Sequence, residues 1–263
     1  MCNVSTARGR KHPKLERPPL ASVICQARYT HVLALNSDEE QSDLLARLQG
    51  RLPDYPVFAR VAQQTLLLSP EGIQPTEQKI SSFQFSSADE NWVVGISVDS
   101  VSLQTKSYEH FRDFQSRWRA VAEVVQEILK PALQTRFGLR YTDELTAEGA
   151  TTPAAWSGLL RSDFSGLGAS DEWRDKVRQS FQEWVLELNE GLCTLRHGFL
   201  PTVFQGRDPF YLLDVDCYVE GGEPYDPERQ ESLLDAFNDA AHVLFVSSIS
   251  PELYGSFGPE VEA

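Results

Sequence analysis

The 263 residues suffice for one large domain or two small ones, and 41% hydrophobic with 24% charged residues excludes wholesale disorder. The net charge of −14 is uneven: residues 1–18 hold Arg8, Arg10, Lys11, Lys14 and Arg17 against Glu16, a balance of +4, so the remainder carries −18. Such an acidic body repels phosphate backbones, which disfavours nucleic-acid binding except through the basic leader.

Residues 1–18 read as a disordered basic leader ending at Pro18-Pro19. A β-rich apolar stretch predicts a strand over 22–35. Ser37-Asp38-Glu39-Glu40 has the capping-box pattern and opens a helix carrying Leu44, Leu45, Leu48 and Leu52. Strands are predicted over 57–69, 80–86 and 92–105, the last with Trp92, Val94, Ile96 and Val98 on one face. Phe111, Phe114, Trp118, Val121, Val125 and Ile128 recur three and four apart, an amphipathic helix. A strand over 137–145 follows, then a weakly helical or irregular stretch over 156–167. A hairpin is predicted around Asn189-Glu190-Gly191, then a strand over 210–219. Asp226-Pro227 caps a last long helix with Leu233, Phe237, Ala240 and Leu244 on its apolar face.

The second half echoes the first. Arg28-Tyr29-Thr30-x-x-Leu33 matches Arg140-Tyr141-Thr142-x-x-Leu145, and Val98-Asp99 before Tyr108 matches Val215-Asp216 before Tyr225. The expected fold is α+β, with two β-α-β-β-β-α-like repeats at 19–135 and 136–257 and a tail at 258–263. They would form one intertwined body of mainly antiparallel sheet with long amphipathic helices.

The block Pro18-Pro19-Leu20…Val23-x-Cys25-Gln26-x-Arg28-Tyr29, the segment Arg136-Phe137-Gly138-Leu139-Arg140-Tyr141 and the close Ile249-Ser250-Pro251-Glu252-Leu253 resemble a sporadically distributed family of uncharacterised bacterial proteins. The resemblance spans about residues 15–257. Its members show an Asn-like residue soon after the central tyrosine, where this chain has Thr142-Asp143-Glu144. It implies an accessory bacterial protein without an assigned activity, and by analogy a conditional role of defence type.

Catalytic signatures are missing from the sequence. Cys2, Cys25, Cys193 and Cys217 form no C-x-x-C pair and read as reduced, mostly buried thiols. His12, His31, His110, His197 and His242 lack ligand spacing. Cys193 and His197 lie four apart on a strand, roughly 13 Å, too far for a nucleophile–base pair. There is no phosphate loop and no nucleophile elbow. No cofactor and no metal are expected. No apolar run reaches the roughly 20 residues that cross a bilayer, and no apolar segment follows the leader as in a secretory signal, so the expected location is cytoplasmic.

The polar candidates are Arg28, Asp99, Arg140 and Asp216, with Asp214 beside Asp216 on one strand face. As repeat-related positions, Arg28 would pair with Asp99 and Arg140 with Asp216. The aperiodic segment 149–170 holds Trp156 and is followed by Asp171, Glu172 and Trp173; its tryptophans either pack onto the sheet or form, with Asp171 and Glu172, a candidate partner surface. The leading functional expectation is a non-enzymatic binding protein with a basic protein partner. The alternative is a small-ligand binder or enzyme using a cavity between sheet and helices. A closed pocket lined by the four polar residues would favour the ligand. An exposed patch at Trp156 and Trp173 would favour the partner.

Overall fold

The computed structural model describes residues 12–63, 66–69, 72–75, 79–200 and 209–260. Most of the basic leader, Cys2 and the last three residues of the tail lie outside them.

The chain runs β1 (Leu20–Tyr29), a 3-10 turn (Leu33–Asn36), α1 (Asp38–Arg51), β2 (Val57–Gln63), β3 (Leu66–Ser69), β4 (Gly72–Pro75), β5 (Lys79–Ser86), β6 (Trp92–Ile96), β7 (Ser100–Thr105) and α2 (Phe111–Ile128). It continues through β8 (Leu133–Leu145), the short turns α3 (Pro153–Trp156) and α4 (Ser162–Ser165), β9 (Gln182–Glu187), β10 (Leu192–Leu200), β11 (Phe210–Pro224), α5 (Pro227–Ser248) and α6 (Pro251–Ser256). It is an α+β fold built on one large antiparallel sheet, ordered β2-β5-β6-β7-β1-β8-β11-β10-β9. The β3–β4 ribbon stands apart from it.

One cross-strand row passes through all nine strands: Phe58, Phe85, Val94, Leu103, Cys25, Leu139, Cys217, Cys193 and Leu186. Its seven central members are buried. Directly opposed residues share a face, so this row marks the side on which the core forms. The helices lie there: α2 packs on β7, α5 on β8 and β11, and α1 against α2. Phe137 sits between Trp118 of α2 and Phe237 of α5, at 5.7 and 6.3 Å between ring centres. Trp118 Nε1 donates to Gln230 Oε1 at 3.1 Å, and Gln230 Nε2 donates to Gln134 Oε1 at 2.7 Å, so this polar chain beneath the helices is paired.

Three expectations change in detail. The strand read over 92–105 is a hairpin, because Ser97 N bonds back to the Ser100 carbonyl and the chain reverses at Val98-Asp99. Asp99 is therefore a turn residue, whereas its echo Asp216 lies within β11. The stretch read as one strand over 57–69 divides into β2 and β3, which pair with different partners. The part of the leader from residue 12 onward is held in place. Leu15 bridges Pro259, Glu16 N and Arg17 N bond the carbonyls of Gly258 and Phe257, and Glu260 N bonds the Lys14 carbonyl. Gly258, at φ +66°, turns the chain out of α6 into this pairing, where a Cβ would press on the Glu16 carboxyl at 2.8 Å.

Candidate functional site

The strap of residues 12–20 covers one side of a cavity of about 1120 Å³. Its floor is the helix-facing side of the sheet, with Tyr141 and Asp143 from β8 and Val215 from β11. One wall is the entry and first turn of α2, from Tyr108 to Asp113; the other is α5, with Asp235, Asn238, Asp239, His242 and Phe245. Tyr254 of α6 and Glu260 complete the rim.

Strand alternation explains the floor. Phe137, Leu139, Tyr141, Asp143 and Leu145 all point from β8 to the helix side, and all are buried. Asp143 is the charged residue of this series, 6% exposed and bordering the cavity. Burial, reinforced by the Asp214 carboxylate, raises its pKa from the usual carboxylate range to about 7.

The tyrosines beside it are ordered. Tyr141 Oη donates to Asn238 Oδ1 at 2.8 Å, which leaves the Tyr108 hydroxyl, 3.4 Å away, to donate to Tyr141 Oη. Their rings stand perpendicular, 5.9 Å between centres. Burial pushes both phenols up, Tyr108 to about 12, so both stay protonated at neutral pH. At the strap, His12 Nε2 lies 2.9 Å from Asp239 Oδ1 and its ring stacks on His242 at 3.8 Å. Burial and the His12 ring lower His242 to about 4. Arg112 is already engaged, donating to Asp235 at 2.9 Å and to Gln115 at 2.6 Å. The cavity thus offers a buried carboxylate, neutral hydroxyls and an acidic rim.

The polar residues singled out from the sequence lie elsewhere. Arg28 and Asp99 are exposed and do not pair: Arg28 Nε donates to Gln26 at 3.2 Å, while Asp99 accepts from Ser97 Oγ at 2.8 Å. The cause is the hairpin turn, which puts Ser100, not Asp99, opposite Arg28. Arg140 and Asp216 face each other in register, yet their side chains pair diagonally. Arg140 grips Asp214 with two bonds of 2.6 and 2.7 Å, and Arg136 grips Asp216 at 2.9 and 3.0 Å while lying over the Tyr218 ring. Arg196 extends the series, bonding Glu183 at 2.6 Å and approaching Asp214 to 3.7 Å. These pairs lie on the sheet face opposite the helices, so the four residues line no common pocket.

The tryptophan patch is also revised. Trp156 is 1% exposed; its indole donates to the Ala150 carbonyl at 2.9 Å and packs on Tyr211. Trp173 is 46% exposed, with Lys176 Nζ over its ring. Asp171 and Glu172 are exposed beside it, Asp171 lying 3.7 Å from Arg174. Segment 149–170 folds into short helical turns that tuck Trp156, Leu160 and Phe164 into the core.

Cys193 and His197 form no dyad. Cys193 meets Cys217 across β10–β11, and His197 Nδ1 lies 2.6 Å from Tyr211 Oη. Among the described residues no group of His, Cys, Asp and Glu has metal-binding geometry, and no helix is long and apolar enough to cross a membrane.

A scan against protein-family models finds no match for the chain, and a search of curated proteins finds none either.

Proposed function

We propose that the protein is a non-enzymatic binding protein that receives a basic protein partner along the groove between the strap, α2 and α5. The observation that carries this reading is the charge of the groove. Glu16, Glu109, Asp113, Asp143, Asp235, Asp239 and Glu260 line it, against Lys14 and Arg112 as its full-time cations. The −18 charge of the chain beyond its leader adds a long-range field that speeds encounter with a cation. An accessory protein of a bacterial defence-type pair, neutralising a basic partner, is the role such a groove suits.

A small-ligand binder or enzyme, the second reading, draws on the same cavity, which is large enough for a drug-sized molecule. Association kinetics separate the two. A lysine-rich peptide should associate more slowly as salt rises, with a smaller change in dissociation. Reversing charge at Glu109 and Glu260 should slow association more than reversal at Asp171 and Glu172. Equal effects of the two reversals, or salt-independent association, would count against the groove.

We also propose that the two halves arose by duplication. β1 and β8 lie side by side at the middle of the sheet, and β7 and β11 flank them. Each flanking strand leads into a long helix, α2 or α5, through Tyr108 or Tyr225. This symmetry of strand order supports the two β-α-β-β-β-α-like repeats.

A further inference from the structure

We propose that Asp143, with the Tyr108–Tyr141 corner, forms a subsite for one primary ammonium group, the side chain of a lysine on the basic partner. This rests on the groove reading above and names the group it recognises.

A carboxylate taken out of water without a partner is expensive, and such groups are retained where something pairs with them. Asp143 is 6% exposed, and what acts on its carboxyl within the described fold is burial and the like charge of Asp214, not a cation or a donor. Its side chain borders the cavity, so the missing partner has a route in. Two built-in cations line the cavity: Arg112 is held by Asp235 and Gln115, and Lys14, itself an ammonium on the strap, does not act on the Asp143 carboxyl.

Tyr141 gives its proton to Asn238 and Tyr108 gives its proton to Tyr141, so both phenol oxygens present lone pairs. Tyr141 and Asp143 stand two residues apart on one face of β8, and with Tyr108 they line the same cavity, so carboxylate and phenol oxygens offer acceptors from more than one side. That arrangement suits an ammonium with three rotatable donors; a guanidinium wants a planar fork. The perpendicular tyrosine rings add an aromatic corner that attracts a cation. Phe111, Phe245 and Tyr254 line the same cavity and offer apolar surface for the four-carbon lysine stem.

The test uses the full chain at pH 8 and calorimetry with four probes: a lysine-rich peptide, N-acetyl-lysine methylamide, its ε-acetylated form and N-acetyl-arginine methylamide. The peptide and the lysine amide should bind; ε-acetylation should abolish binding; the arginine amide should bind more weakly. Asp143→Asn should weaken the lysine amide about tenfold or more, the loss of one charge-assisted hydrogen bond. Binding of the peptide with undiminished affinity to Asp143→Asn would overturn the subsite and leave the basic-partner reading standing. Failure of every basic probe to bind either protein would overturn both. Tighter binding of free 1,5-diaminopentane than of the lysine amide would overturn the partner lysine as the source of the ammonium. The ε-acetylated probe decides on the wild-type chain alone, so the proposal does not depend on the variant's folding.

Discussion

Tyr141 and Asn238 join the sheet to its longest helix at the floor of the cavity: the phenol of β8 donates to the α5 carboxamide at 2.8 Å, and both residues are buried. Tyr141→Phe keeps the ring but leaves Asn238 Oδ1 and the Tyr108 hydroxyl without that partner. An unsatisfied buried polar group costs about 1–3 kcal/mol. The variant should lose about that much unfolding free energy in a urea titration, with m unchanged. A loss under roughly 0.5 kcal/mol would mean that water replaces the phenol and that the floor is wet.

Trp118 and Phe237 clamp Phe137 from α2 and α5, and all three are fully buried. Each truncated to Ala should cost about 3–5 kcal/mol, since the surrounding sheet and helices cannot collapse into the void. Trp118→Ala also strips Gln230 Oε1 of its indole donor, so it should be the costlier of the two. Equal losses would show that Gln230 finds another donor.

Arg28 and Arg140 occupy echoing sequence positions but should behave differently when removed. Arg28 is exposed and bonds a neighbouring glutamine, so Arg28→Ala should change stability by less than about 0.5 kcal/mol. Arg140 holds Asp214, whose side chain is 3% exposed. Arg140→Ala leaves that carboxylate with Arg196 at 3.7 Å as its remaining charge partner. A loss of about 2–4 kcal/mol follows, somewhat below that of a fully orphaned buried charge. Parallel denaturant titrations of the two variants check the contrast, and indistinguishable losses would refute it.

The elements that set the sheet were legible because their signals are local. The Ser37 start of α1, the three-and-four spacing of α2, the Asn189-Glu190-Gly191 hairpin and the Asp226-Pro227 start of α5 all depend on residues within a turn or two of each other. The cavity was not legible. It joins residues 12–20, 108–113, 141–143 and 235–245, and no spacing reports that meeting. A signal was present at Asp143. Alternation puts it on the same face as Phe137, Leu139 and Tyr141, where a carboxylate is anomalous. The ion pairs were misassigned for another reason. Register defines which Cα atoms oppose each other, whereas an arginine reaches diagonally, as Arg140 does to Asp214. Trp156 takes the packed of its two readings, because an aperiodic segment still packs when short helical turns point its large side chains inward.

Asp143 should make the free protein lose stability as pH rises. Its folded pKa is raised from the ordinary carboxylate range to about 7, so the folded state holds the proton that the unfolded chain releases near pH 4. Stability falls from about pH 4 to about pH 7 and then levels, a change on the order of 4 kcal/mol for this group. The charged and titratable groups around it act alongside. Asp214 pushes in the same direction from β11. The phenols of Tyr108 and Tyr141 stay neutral throughout. Glu109, His110, Arg112 and Asp113 face the cavity from the α2 end, Asp235, Asp239 and His242 from α5, and His12, Lys14, Glu16 and Glu260 from the strap side. His242 and His197, both lowered to about 4, oppose the trend, since their stability is present above about pH 6.5 and is lost as pH falls through 4. Asp143→Asn isolates the carboxylate. The variant should match wild type near pH 4 and exceed it increasingly up to about pH 8 in urea titrations. A stability difference that stays constant from pH 4.5 to pH 8 would show that Asp143 titrates as an ordinary solvated carboxylate.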